Sequence, residues 1–130
     1  MKKTPKIGIV GVGMVGGVLK KYFEKQGFKR GKNLFCFDPD PKKGCADDVR
    51  CANVVFVAVP TPSRKDGSCD TGIVESIVKK YARPTKVMVI KSTVIPGTTE
   101  MLAKKYNCAL IFSPEFLTEA NAWENMINPD

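Results

Sequence analysis

The chain has 130 residues, 43% of them hydrophobic and 26% charged, which is enough for one domain with its own core. Histidine is absent, so histidine-based triads and histidine metal sites are excluded, and no apolar run approaches the roughly 20 residues that cross a bilayer. The formal net charge is +8, spread over helix faces and turns with Lys29-Arg30-Gly31-Lys32 as the one tight cluster, so a basic surface that attracts phosphate-bearing ligands is expected and nucleic-acid and membrane partners are not.

Met1-Lys-Lys-Thr-Pro5 leads straight into an apolar run with no signal-peptide core, and a cytoplasmic location is expected. The first strand is predicted over about Lys6–Val10. It turns at glycines into a helix from Met14 to about Gln26. Val15, Val18, Leu19, Tyr22 and Phe23 share one stripe of that helix, and Gly27 ends it as a left-handed cap. The junction reads Gly11-Val-Gly13-Met14-Val15-Gly16. In a strand–turn–helix, Gly11 makes the turn, Gly13 clears room for a pyrophosphate, and Gly16 lets helix and strand approach. The helix N-terminus, with the N–H groups of Met14 and Val15, offers partial positive charge to that anion. A plain strand–helix turn with no ligand is the competing reading.

A second strand is predicted over Asn33–Phe37. Asp38 closes it, 22 residues after Gly16, where an acid meets the adenosine ribose hydroxyls. Its charge argues for NAD over NADP, against which Lys42 and Lys43 lie nearby. Asp38-Pro-Asp-Pro-Lys-Lys-Gly44 reads as a turn-rich linker in which two prolines bar a regular element, and a short helix is expected around Ala46–Cys51.

Val54–Val59 is a continuous apolar run, as in a strand buried on both faces. Pro60-Thr61-Pro62 ends it. Asp70 or Thr71 caps a helix with Ile73, Val74, Ile77, Val78 and Tyr81 inward. A strand over Lys86–Ile90, a loop from Ser92 to Gly97, a helix from Thr98 to Tyr106 and a strand over Ala109–Phe112 follow. A helix over Thr118–Asn125 is the expectation for the tail, with Trp123 as a packing anchor. Lys91 reads as an exposed strand-end lysine. The five cysteines, Cys36, Cys45, Cys51, Cys69 and Cys108, are odd in number with no C-x-x-C pair, so neither a disulfide framework nor a metal site is expected. Cys36 and Cys108 fall in predicted strands as small core residues.

The alternation of strands and helices predicts an α/β fold: a Rossmann-like, doubly wound parallel sheet in three αβα layers. Ligands of such sheets bind beyond the carboxyl ends of the strands. Every unusual exit here falls on that edge: the glycine turn, Asp38, Pro60-Thr61, Lys91-Ser92-Thr93 and Ser113-Pro114-Glu115.

These blocks, with Asp66-Gly67-Ser68, Pro96-Gly97-Thr98 and Phe116-Leu117-Thr118-Glu119, resemble in order the NAD-binding domain of the UDP-glucose/GDP-mannose dehydrogenase family. The resemblance implies oxidation of a sugar-nucleotide C6 alcohol to a carboxylate with NAD, through cysteine-bound intermediates. A UDP-hexose is the implied substrate. It further implies that Asp38 and Lys43 hold the adenosine ribose and that Pro60 and Thr61 line the dinucleotide path. Thr93 would lie by the nicotinamide and orient a water, Glu115 would activate that water as general base, and Glu119 would lie near the nicotinamide and substrate. Ser113, Thr118 and Ala120 stand where the family usually has Asn, Arg and Gly. Only 15 residues separate Asp38 from Val54, fewer than in most members, which marks a compact variant. No cysteine matches the family's nucleophile. Residues 1–130 are therefore expected to form the NAD-binding domain alone, without the central dimerising helix and the C-terminal domain, and to be inactive alone. A β-hydroxyacid or imine-type dehydrogenase and a stand-alone dinucleotide-binding module are the alternative readings.

Overall fold

The computed structural model describes residues 5–59, 65–66, 71–92 and 97–113. Five short strands carry the fold: β1 (Ile7–Val10), β2 (Leu34–Phe37), β3 (Val54–Val57), β4 (Val87–Ile90) and β5 (Ala109–Phe112). Three helices connect them: α1 (Met14–Lys25), α2 (Gly72–Tyr81) and α3 (Thr98–Tyr106). All four strand pairings are parallel, in the order β2-β1-β3-β4-β5. The chain leaves β1 toward β2 in one direction and runs from β3 to β5 in the other. The winding direction therefore reverses between β1 and β3, the position at which such sheets open a crevice. This is the α/β architecture that the alternation predicts.

The register is uniform. Val10 lies beside Phe37 and Val57, Val57 beside Ile90, and Ile90 beside Phe112. The next residues, Gly11, Asp38, Ala58, Lys91 and Ser113, therefore stand in one row at the carboxyl rim.

Alternation of side chains splits the core into two layers. Ile7, Ile9, Leu34 and Cys36 face α1, where Leu19 is buried and Val15 and Phe23 pack beside it. Val55, Val57, Met88 and Ile90 face the other way, against Val74, Val78 and Tyr81 of α2 and Leu102 of α3. Each fully buried aliphatic side chain contributes about 1.5–3 kcal/mol, and both layers draw on β1, β2 and β3. Ile73, expected inward, is instead 40% exposed. It lies to one side of the Val74–Val78–Tyr81 line that meets the sheet. Cys108 precedes β5 and is only partly buried, whereas Cys36 is fully buried.

Residues 38–53 depart most from expectation. The prolines do not bar a regular element: Pro41–Lys43 forms a 3-10 turn with proline in its first turn, where its missing N–H costs nothing. Asp40 caps it by accepting the Lys42 N–H at 3.0 Å. The helix expected over Ala46–Cys51 shrinks to a 3-10 turn, Val49–Cys51. Before it, the chain runs antiparallel along the outer edge of β2, with Ala46 opposite Phe37. The turn then packs onto β1 at Gly8, where an added Cβ would lie 2.7 Å from Val49 and 2.9 Å from Ala52.

The tightest packing is at the β1–α1 junction. A Cβ on Gly16 would lie 1.7 Å from the Gly11 carbonyl oxygen, whereas Gly17 has open space. Gly16→Ala should therefore lower unfolding free energy by on the order of 3 kcal/mol. Gly17→Ala should raise it by up to about 1 kcal/mol through helix propensity. Urea titration of both variants checks the pair, and equal effects would refute the close approach.

Candidate functional site

The rim is built from the elbow between β1 and α1. Gly11 has φ of +93°, and a Cβ there would lie 2.6 Å from the Ala58 carbonyl oxygen of the neighbouring strand exit. Only glycine meets both demands. Gly13 sits at the N-cap of α1, and nothing lies within 4 Å of where its Cβ would be. No side chain caps this helix, and its first turn contains no acidic residue. The helix end thus presents N–H groups and partial positive charge toward open space, as an incoming phosphate requires. Val15 turns its side chain into the α1 layer, so its backbone is what it can offer to the rim. Of Met14, the position at the start of α1 is described.

Asp38 lies at the exit of β2, beside this elbow. Its Oδ2 accepts the Val12 N–H at 2.8 Å, and its Oδ1 accepts the Asp40 N–H at 2.8 Å. The carboxylate is thus fixed in place by two backbone donors on opposite sides. Each oxygen keeps a lone pair, so the group can still accept from a pair of hydroxyls. Lys43, at the end of the Pro41–Lys43 turn, is exposed close to Asp38 in the chain. The structure therefore brings Gly11, Gly13, Gly16 and Asp38 together at one place. Pro60, Thr61, Thr93, Glu115, Glu119 and Trp123 lie outside the described residues.

Two features have no sequence signal. Asp47 accepts the Arg30 Nε–H and the Cys36 N–H, both at 2.9 Å, and Arg30 also reaches the Gly44 carbonyl at 3.1 Å. Burial alone would raise the Asp47 pKa, but these two hydrogen bonds and the Arg30 charge hold it below the usual carboxylate range. Burial pushes the neighbouring Cys36 thiol up to about 12, so it is inert. Arg30 and Asp47 thereby secure the segment that leads away from Asp38. The second feature is Lys91. Its Nζ donates to Ser113 Oγ at 3.0 Å in a partly buried setting, which corrects its reading as an exposed lysine.

A separate groove of about 440 Å³ lies away from the rim, lined by Gly72, Glu75, Ser76, Lys79, Lys105 and Tyr106. Glu75 there accepts from Lys105 at 2.7 Å and Tyr106 at 2.8 Å. These bonds lower the Glu75 pKa and brace α2 against α3. Glu75, Lys105 and Tyr106 are directed at one another, and the open N–H donors of the helix end are at the rim. Among the described residues, no cluster of Cys, Asp and Glu could hold a metal ion, and no helix is long and apolar enough to cross a membrane.

Removing the Asp38 carboxylate would leave the Val12 and Asp40 N–H groups without their acceptors. Asp38→Ala should cost about 1–2 kcal/mol of stability, and Asp38→Asn, which keeps one acceptor oxygen, should cost less. Chemical denaturation of the two variants distinguishes them, and equal losses would show that the carboxylate does not hold the elbow.

Comparison with known proteins follows the same lines. The chain is 32% identical over 166 residues to YtcA of Bacillus subtilis (strain 168), a protein named provisionally as a UDP-glucose 6-dehydrogenase; 96% of this chain and 38% of YtcA take part. That alignment is longer than the whole chain, so YtcA carries segments with no counterpart here. Among solved structures, a UDP-glucose dehydrogenase from the hyperthermophilic archaeon Pyrobaculum islandicum superposes with a TM-score of 0.74 at 26% identity, over 98% of this chain and 40% of that one. A GDP-mannose dehydrogenase from Pseudomonas aeruginosa, at 22% identity, shares the fold with a TM-score of 0.70 over 95% of this chain and 39% of that one. The chain thus spans about two fifths of the length of these relatives. Residues 40–130 match the description "UDP-glucose/GDP-mannose dehydrogenase family, NAD binding domain". With the glycine elbow and the fixed Asp38 on one rim of a parallel sheet, this chain belongs to the UDP-glucose/GDP-mannose dehydrogenase family and carries its NAD-binding domain.

Proposed function

We propose that residues 1–130 are the dinucleotide-binding half of a nucleotide-sugar 6-dehydrogenase whose substrate is a UDP-hexose. The observation that carries this reading is the single rim on which the elbow, Asp38 and the exits of β3, β4 and β5 stand in one register row. The family match favours it over a β-hydroxyacid or imine-type dehydrogenase.

The residues fit NAD. Gly13 leaves the backbone bare where a pyrophosphate must approach, and the uncapped N–H groups of Met14, Val15 and Gly16 supply its donors. Gly11 and Gly16 hold that helix end close to β1. Asp38 accepts the adenosine ribose hydroxyls on its remaining lone pairs, and Lys43 stands beside it. A 2′-phosphate would meet the Asp38 charge, so NAD is preferred to NADP. Pro60 and Thr61 follow the exit of β3 and line the path toward the nicotinamide.

When bound, NAD supplies the acceptor for the hydride that leaves the alcohol carbon. The chain's own residues manage water and protons. Thr93, two residues beyond the rim position Lys91, orients a water. Glu115, two beyond Ser113, takes that water's proton as general base, and Glu119 stands near the nicotinamide and substrate. The nucleophilic cysteine comes from elsewhere in a longer protein. Among the described cysteines, Cys36 and Cys45 are buried in the α1 layer, and Cys51 and Cys108 precede the amino ends of β3 and β5, opposite the rim; Cys69 lies outside the described residues and matches no family nucleophile in its sequence context. Free thiols among the described cysteines suit a reducing, cytoplasmic setting.

Calorimetry on the 130-residue chain should give micromolar or weaker NADH binding, since the chain spans about two fifths of the length of its relatives and offers the dinucleotide only part of their contacts. NADPH should bind at least about tenfold more weakly, because of the Asp38 charge. No oxidation of UDP-glucose is expected from the chain alone. Absence of NADH binding at millimolar ligand would overturn the reading.

A further inference from the structure

The exit of β4 carries two consecutive side chains that the elbow and Asp38 leave unexplained. Ser92 is 6% exposed, and its hydroxyl donates toward the Val59 carbonyl at 2.7 Å and the Val57 carbonyl at 3.3 Å. It ties the β4 exit to the β3 exit, immediately before Pro60. Lys91 reaches the other way, to Ser113 Oγ at 3.0 Å, and ties the β4 exit to the β5 exit. The backbone at this level is already joined, with Lys91 N–H on the Val57 carbonyl at 2.8 Å and Ser113 N–H on the Ile90 carbonyl at 3.0 Å. The side-chain ties therefore extend the sheet one residue past its strands.

A lysine at a strand end ordinarily keeps its ammonium in water and its rotamers free. Here, in a partly buried setting, the ammonium is directed at a serine hydroxyl. The three exits so joined are the ones from which Pro60-Thr61, Thr93 and Glu115 depart. Asp38 and the elbow lie on the other side of the sheet's winding reversal, at β2 and β1, the far end of the sheet from β5.

Resting on the dinucleotide-binding reading above, we infer that Lys91 and Ser113 are a positioning pair for the nicotinamide half of the cofactor. By fixing the separation of the β4 and β5 exits, they set the spacing of this part of the rim for the nicotinamide half. The adenosine half, held on β1 and β2, is indifferent to them. Neither residue is placed in contact with the cofactor; each acts through the exits it joins.

The test measures NADH and ADP affinities for the unaltered chain, Lys91→Met, Ser113→Ala, the double variant and Ser113→Thr. ADP carries the adenosine half only, so it reports the fold and the elbow independently. Each single variant should weaken NADH about fivefold with ADP unchanged, and the double variant should be no weaker than Lys91→Met, since Ser113 acts through Lys91. Ser113→Thr keeps the hydroxyl and should bind NADH as the unaltered chain does. Unchanged NADH affinity in the single variants, parallel loss of NADH and ADP, or additive losses in the double variant would overturn the inference. If the unaltered chain bound ADP but gained nothing from the nicotinamide half, this inference would fall while the adenosine site stood. If it bound neither ligand, the dinucleotide reading itself would fall and take the inference with it.

Discussion

The contact between Gly16 and the Gly11 carbonyl, closer than any side chain permits, sets the geometry of the site. It brings the N-terminus of α1 down onto the carboxyl end of β1. Any other residue at Gly16 would lift the helix and withdraw its N–H groups from the rim. The positive φ of Gly11, the open space at Gly13 and the Val12–Asp38 bond all follow from that seating. Asp38 holds the loop by accepting the Val12 N–H on one oxygen and the Asp40 N–H on the other.

The segment between Asp38 and Val54 shows how a compact member of the family closes its sheet with little chain. The β2 edge needs partners for its N–H and carbonyl groups. Cys45 and Asp47 supply them through the backbone, and the Asp47 carboxylate adds a bond to the Cys36 N–H. Val49 and Ala52 then fill the space that Gly8 leaves on β1. A run of 15 residues thus covers an edge and part of one sheet face. The longer alignment with YtcA agrees with this economy.

Much of the fold was legible in the sequence, because its signals are local. Apolar β-branched runs gave the strands, a helical stripe gave α1, and Gly27 stopped it with a φ of +97°. The rim could be read because each exit carries glycine, proline or an acid directly after an apolar run. What could not be read depends on partners distant in sequence. Arg30 meets Asp47 across 17 positions, and Lys91 meets Ser113 across 22. No periodicity links such pairs. Pro41 misled because proline bars a helix interior but favours a first turn. Ile73 misled because a stripe of five apolar residues is wider than the line that meets the sheet. Of the proposed site, Gly11, Gly13, Gly16 and Asp38 meet at the rim, while the roles of Thr93, Glu115 and Glu119 rest on the exits that precede them.

The central claim is that a nicotinamide dinucleotide lies along the carboxyl rim, with its pyrophosphate at the elbow. Amide chemical-shift mapping by NMR during an NADH titration tests it most directly. Saturable shifts are expected at Val12 to Gly16 and at Asp38 to Asp40, with the Glu75–Tyr106 groove unaffected. Shifts centred on that groove, with the elbow amides unmoved, would contradict it.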